Sequence, residues 1–580
     1  MKILPSSAND SRRRSQFFEG ICLLFMAAVF FFAFLVYRST YRHSHFLILY
    51  GIFLLALFFL LPSDWLPTIV KPTLERWWGL NWAETKRLFC TVAVFTLVFS
   101  LIAHGFLFTN EFFSHDSTFV LNYGDSQSFY TSVGRMLIPY YEALKGSVPL
   151  PWLICLLFLI YITLANLFLV HLLELRSKAG IAVVCGLTCS NTALTLTGAT
   201  YIYCFDEYAL ALLLAVLGAW FLCRREGGWL LGTVCVTASL AFYQPYFTLA
   251  AGLCFFAVIR QLLKNESALK ALWNGIRLLA LLAAGFLLYY LWWNLQCRML
   301  GIDMARASES LLSAGLSALP SLLYHAYVSY LTFLRQPPAL FGHLLITVHI
   351  LLLFLLAVKV FSCLADRTLR RGSKLLLMLL LLLTPLVCNS AYLLLVGNNH
   401  DLTTYAQGLI YLLPLCFLDT PAVPRKHFHW NNRRYRIAVV ALLGIVLWNN
   451  VTFSNQAYIK KDMEKSATLT LMSRVLDRIE STEGYVPGET EIAVVGRLDW
   501  NSFLNHGRYG YEVIQKNIGM GIDYSISYSF ERYISQYLNY PALFTDPAPF
   551  EDLEEVQNMP ALPDVGAIRM IDGVVVVKLS

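Results

Sequence analysis

Apolar runs with few charges recur along most of the chain up to about residue 450. "GICLLFMAAVFFFAFLVY" (20–37), "FLILYGIFLLALFFLL" (46–61) and "LLLMLLLLLTPLVCNSAYLLL" (375–395) approach or reach the roughly 20 residues that a helix needs to cross a bilayer. By that ruler the pattern predicts about thirteen spans, two of them short. No signal-peptide cleavage pattern follows the first, which is therefore expected to stay as an anchor. Beyond residue 453 the pattern changes: "ETEIAVVG" (489–496) reads as a strand, "SFERYISQYL" (529–538) as a helix, and "AIRMIDGVVVVKL" (567–579) as a hairpin turning at Asp572-Gly573. The expected fold is an all-α polytopic membrane protein of about 13 transmembrane helices with a small C-terminal α/β domain. Three parts are predicted: a two-span segment at 1–87, a transmembrane core at 88–452, and the tail domain at 453–580.

Composition reinforces the pattern. The chain is 57% hydrophobic and only 14% charged, with a mean hydropathy of +0.58, outside the range of soluble domains. All thirteen cysteines precede residue 417, almost all in or beside apolar segments, and they suggest no disulfide framework. Cys185 and Cys189 share a helix face, but a CxxxC pair without histidines reads as buried small hydrophobes rather than a metal site.

Charge sets the orientation. One alternating set of connections carries 26 Lys and Arg, and the opposite set carries seven, Arg135 and Lys145 among them. Positive residues accumulate on the cytoplasmic side. The N-terminus is therefore expected on the cytoplasmic side, and the 109–150 loop and the tail outside. The tail holds 11 basic and 18 acidic residues. The inward loops are too short for a nucleotide-binding α/β domain, and no Walker or GxGxxG pattern occurs in context. Activity fuelled directly by ATP or a nucleotide sugar is thereby excluded, nothing points to nucleic acid, and a substrate has to arrive from the bilayer or from outside.

The candidate chemistry sits at outward span ends. "FFSHDSTFVLNYGDSQSFYTSVGRML" (112–137) places Asp116, Asp125 and Arg135 between two apolar segments, with Glu111, Glu142 and Lys145 in the same loop. Asp206 and Glu207 stand in "YIYCFDEYAL", Gln244 precedes Pro245, and Asp401 lies in "GNNHDLTTY". Asn166, the stretch "TCSNTALTLTGAT" (188–200) and Asn294 add polar groups inside spans. Polar groups in hydrocarbon are costly unless they face a cavity or one another, which predicts an outward-opening cleft. A carboxylate at its lip suits a general base for a hydroxyl, and an arginine there suits a phosphate. Asp116, among Phe112, Phe113 and Phe119, is the predicted base. Arg135, Asp125, Asp206, Glu207, Gln244 and Asp401 are predicted to bind substrate. The bland alternatives are helix capping for Asp125, Asp206 and Glu207, and pairing with Glu142 for Arg135. Residues 308–334 read as an interfacial helix on the outer leaflet.

In this order, "HDS", "SVGRMLIPYYEALKG", "PLPWL", "YIYCFDEYALALLLAVLGAWFL", "LAFYQPYFTLAAGL" and "MPALPDVGAIRMIDGVVVVKLS" resemble the bacterial type II Gtr-like glucosyltransferases, from about residue 88 to the C-terminus. The resemblance implies a C-type glycosyltransferase fold with a polyprenyl-phosphate sugar as donor and a cell-surface glycan as acceptor. It matches Asp116 to the family's loop aspartate and Arg135 to its "GR" arginine. Members often carry two adjacent acidic residues in that loop, whereas Asp116 is flanked by His115 and Ser117, which argues against a two-carboxylate metal site. No cofactor is demanded, and a divalent cation, Mg or Mn, is the one candidate. The expected partners are the undecaprenyl-phosphate hexose donor, the glycan acceptor, the bilayer, a donor synthase and a donor flippase. The competing classes are a lipid-linked-glycan transporter or flippase and a polysaccharide polymerase or O-acyltransferase.

Overall fold

The structure, a computed structural model, describes residues 82–112, 126–145, 150–223, 227–305, 316–334, 343–365, 369–397, 401–417, 432–496, 530–531 and 533–579. The apolar runs at 20–37 and 46–61 lie outside the described residues. Two compact units are present, Met1–Thr91 with Asn294–Asp303, and Val92–Trp293 with Met304–Ser580. The described residues of the first unit are helical at Trp82–Thr91 and from Asn294 to Leu300. Every contact discussed below lies within the second.

The helices used in the argument are α1 (Trp82–His104), α2 (Ser126–Ser132), α3 (Ile138–Lys145), α4 (Pro151–Leu172), α5 (Lys178–Cys189), α6 (Thr192–Thr200), α7 (Phe205–Cys223), α8 (Gly228–Phe242), α9 (Tyr246–Leu263), α10 (Ala268–Leu300), α11 (Leu319–Leu334), α12 (Leu344–Leu364), α13 (Arg371–Cys388) and α14 (Asn432–Glu480). Against the expectation of about thirteen spans, nine helices among the described residues are long and apolar enough to cross a membrane, and two shorter apolar ones lie at Gly228–Phe242 and Tyr405–Cys416. The described part of the expected interfacial segment, α11, is apolar with Leu322, Ala326 and Tyr330 buried.

Burial sorts the helices. The span containing α7 is 78% buried, whereas the span of α10 is 22% buried and turns Leu279, Leu287 and Leu291 outward. An exposed apolar stripe on a membrane helix faces lipid, so α7 is the central post and α10 lies at the periphery. Gly218 and Gly232 let α7 and α8 approach closely, since a Cβ on Gly232 would lie 2.7 Å from the Leu222 side chain.

α14 runs without a break across the boundary expected at 453. Its first half is membrane-like, and Leu471, Met472, Val475 and Ile479 in its second half pack on the tail's sheet. The sheet contains β1 (Glu491–Val495), β2 (Leu543–Phe544), β3 (Ile568–Ile571) and β4 (Val574–Lys578) in the order β2-β1-β4-β3. β1 runs parallel to β2 and β4, and β3 and β4 form the antiparallel hairpin. Its turn falls at Asp572-Gly573, with φ of 50° and 80°, the left-handed pair that a two-residue turn needs to match strand twist. Ile492 and Val494 face α14 while Ala493 and Val495 face Val556 and Met559, so burial on both faces explains why these strands read as unbroken apolar runs. In the stretch predicted helical at 529–538, Phe530 and Glu531 are helical and Tyr533–Tyr537 form a π-helical turn.

Candidate functional site

Between α2 and α3 the chain makes a tight turn through Gly134, whose φ is +78°. A side chain there is excluded twice: by the left-handed backbone, and because a Cβ would run into the Tyr289 hydroxyl and lie 2.8 Å from Gln244 Nε2. Three side chains remote in sequence hold the turn. Gln244 Nε2 donates to the Val133 carbonyl (2.8 Å), the Tyr289 hydroxyl to that of Gly134 (3.1 Å), and Trp293 Nε1 to that of Thr131 (2.7 Å). Gln244 is free to turn this way because Pro245 interrupts the helical path between α8 and α9.

The turn delivers Arg135 to the start of α7. Its Nη1 donates to the Tyr208 hydroxyl (2.8 Å), and its guanidinium carbon lies 5.6 Å from the Tyr208 ring centre and 5.4 Å from that of Tyr243. The two rings stack at 4.0 Å. Arg135 Nε is buried without a hydrogen-bond partner among the described residues. The guanidinium is thus held on one side by tyrosines, and no carboxylate neutralises it among the described residues; the expected alternative, pairing with Glu142, is not formed.

α3 carries a second charged group to the same helix end. Lys145 Nζ donates to Asp206 Oδ1 (2.9 Å), Glu207 Oε1 (3.0 Å) and the Tyr203 carbonyl (3.1 Å). Tyr141 donates to Asp206 Oδ2 (2.9 Å). Asp206 and Glu207 occupy the first turn of α7, where the helix dipole favours negative charge. Glu142, on the same short helix, is also buried, and Glu142 Oε2 and Glu207 Oε2 have no partner among the described residues. Burial works against the Lys145 ammonium, but the Glu207 and Asp206 carboxylates hold its pKa above the ordinary lysine value. Burial pushes the Glu142 carboxyl up to about 7 against the pull of Lys145. The cluster therefore holds three carboxyls to one ammonium.

Among the described residues no group of three or more His, Cys, Asp or Glu is arranged to hold a metal ion. In the acidic cluster the Lys145 ammonium sits where a cation would bridge Asp206 and Glu207, so these residues do not fit the divalent cation considered from the sequence.

Four of the residues singled out in the sequence, Arg135, Asp206, Glu207 and Gln244, thus meet around one turn. Asp206 and Glu207 are fully buried and turned onto Lys145. Asp401 lines a separate cleft, joined to the Arg135 site by the Tyr243 hydroxyl, which donates to the Leu402 carbonyl (3.3 Å). Asp116, Asp125 and His115 lie outside the described residues. Glu142, Lys145, Tyr208 and Tyr243 were not candidates. The signal for the first two was the spacing in "YYEALK", which puts Lys145 one turn from both Tyr141 and Glu142 on one helix face.

Residues 105–417, just over half of the chain, match the family described as Glucosyl transferase GtrII. The chain belongs to the GtrII glucosyltransferase family. By that membership it is a membrane glucosyltransferase, with a sugar donor, an acceptor and the bilayer as its partners. No curated protein and no solved structure matches it. In this GtrII member the matched segment includes the whole of α2 to α13, and with them Arg135, Lys145, Asp206, Glu207, Gln244 and Asp401; α14 and the sheet fall beyond it.

Proposed function

We propose that the chain is an inner-membrane enzyme of C-type glycosyltransferase architecture that moves glucose from undecaprenyl phosphate to a cell-surface polysaccharide of the O-antigen kind, on the extracytoplasmic side. The observation that carries the donor assignment is the Arg135 guanidinium. It is buried, held in place by Tyr208 and Tyr243, and unneutralised among the described residues. A buried cation in that condition calls for an anion, and a guanidinium edge matches two phosphate oxygens. The excess of positive residues in the opposite set of connections supports an outward-facing site.

In the proposed step Asp116 takes the proton of an acceptor hydroxyl as that oxygen bonds to the anomeric carbon. The bond from the anomeric carbon to the phosphate oxygen breaks, and its electron pair leaves with undecaprenyl phosphate. Arg135 stabilises the charge that grows on the departing phosphate. Gln244 sets the position of Arg135 through the Val133 carbonyl. Asp206 and Glu207 act by fixing Lys145, and with it α3, beside the site. Asp125 and Asp401 bind sugar hydroxyls. The tail domain, 453–580, stands outside the membrane.

Purified protein incubated with polyprenyl-phosphoryl glucose and an acceptor glycan tests this. Wild type transfers glucose; Asp116→Asn abolishes transfer with the protein still folded. Full activity in that variant removes the proposed base, and transfer from a nucleotide sugar instead of the lipid donor overturns the reading.

A further inference from the structure

The membrane span Lys178–Thr200 is broken at Ser190-Asn191 into α5 and α6. The facing chain, Tyr405–Leu412, is wound as a 3-10 helix for eight residues, longer than the three or four that this geometry usually sustains. Interrupted backbone at membrane depth is tolerated where it lines a cavity, and here it does. A cleft opens between the break, the 3-10 stretch, α12 and α14. Gly408 allows the close approach, because a Cβ there would lie 2.7 Å from Asn191 Nδ2.

The lining mixes apolar with uncharged polar side chains. Asn191, Thr192, Asn449 and Asn450 contribute amides and a hydroxyl, Phe333 and Phe453 contribute ring faces, and among the described residues Asp401 is the one charged side chain in it. The Asn450 amide makes no hydrogen bond within the described residues although the residue is buried. His349 Nδ1 lies 2.8 Å from the Leu334 carbonyl, which can only accept, so in the neutral ring Nε2 accepts from the Tyr411 hydroxyl at 2.9 Å. The Tyr411 oxygen is left with lone pairs at the cleft wall. Among the described residues the lining holds a carboxylate and no lysine or arginine, which disfavours a phosphate. Amides, a hydroxyl, an acceptor oxygen and aromatic faces together suit a ring with hydroxyls on its edge and carbon–hydrogen bonds on its faces.

We propose that this cleft is a saccharide subsite taking one uncharged hexopyranose ring, distinct from the anion site at Arg135. The assignment rests on the glucosyltransferase reading for its choice of hexose, and the binding itself is measured apart from transfer. Saturation-transfer NMR on the full chain in nanodiscs, with methyl β-glucopyranoside as probe, reads occupancy. Wild type gives a signal, and Asn450→Leu or the near-isosteric Thr192→Val lowers affinity about fivefold or more, the effect of one lost hydrogen bond, at an unchanged unfolding temperature. Equal affinity in wild type and both variants overturns the proposal, as does displacement of the probe by inorganic phosphate. Displacement by geranyl-phosphoryl glucose assigns the ring to the donor, and displacement by a soluble acceptor oligosaccharide assigns it to the acceptor. Sugar binding with no transfer from any polyprenyl-phosphoryl hexose would sink the enzymatic reading and leave the cleft standing; transfer with no sugar binding would do the reverse.

Discussion

The helical core has charged clusters at both ends, built from the same residue types with opposite logic. At one end Lys145, Asp206 and Glu207 have side-chain exposures of 6%, 0% and 0%, and Glu142 is buried beside them. At the other, Glu174 joins Arg260 (2.9 Å) and Lys264 (2.7 Å), with exposures of 53% for Glu174 and 54% for Lys264. The open cluster has one carboxylate for two cations, and water screens the excess. The closed cluster has three carboxyls for one ammonium, and nothing screens it. A buried, unbalanced cluster is retained at a cost to stability, and such clusters gather where chemistry needs them. The closed one stands beside Arg135, which no carboxylate among the described residues neutralises, within the segment that defines the family. The open one is an ordinary, water-screened way of ending helices.

The largest expected effect tests that contrast directly. Lys145→Met leaves Asp206 and Glu207 buried without their cation and is expected to destabilise by about 3–5 kcal/mol, seen as a collapse of the monodisperse yield in detergent; a well-folded variant would show that the carboxyls are protonated and the ion pair is not formed. Next comes Arg135→Lys, which keeps the charge but loses the flat fork held by Tyr208 and Tyr243. Transfer should fall by about 100-fold or more with the unfolding temperature preserved, and unchanged activity would remove Arg135 from the anion site.

The two ends should also respond to pH with opposite sign. The Glu142 carboxyl titrates near 7 in the folded chain against an ordinary 4.5, so between these values the folded state holds more protons and stability falls as pH rises through the window. Burial tends to raise Glu174, yet Lys264 and Arg260 keep it below its ordinary value of 4.5, so its contribution is present above that pH and is lost on acidification. Unfolding temperatures from pH 2 to 8 check both slopes: Glu142→Gln should flatten the upper one and Glu174→Gln the lower. The smallest effect is expected of Lys264→Met, at most about 1 kcal/mol at an exposed pair; a loss as large as that of Lys145→Met would erase the distinction between the two ends.

Much of the architecture was legible because it depends on composition summed over many residues. Runs such as Pro151–Leu172 leave a helix as the only way to satisfy backbone groups in hydrocarbon. The Asp572-Gly573 turn declared itself because few other pairs accept two positive φ angles. Gln244 was legible as a polar residue ahead of a proline. What it does was not, since its partners, the Val133 carbonyl and the Tyr289 hydroxyl, lie 111 and 45 residues away. The continuity of α14 through the expected boundary at 453 was hidden for another reason. Hydropathy reports where a helix leaves the membrane, and Asn455, Lys460 and Lys461 mark that point, but α14 carries on to Glu480.

The sequence by itself therefore determined a membrane-embedded helical protein with a small sheet and membership of a glucosyltransferase family, because hydropathy and turn chemistry are local or additive. Tertiary structure alone decided that Lys145 rather than substrate faces Asp206 and Glu207, that two tyrosines cradle Arg135, and that a broken span opens a cleft at Asp401. Each of these depends on which distant helices share an end. Pairing energies between buried groups are set by separation and burial, and neither is a property of any one stretch of chain.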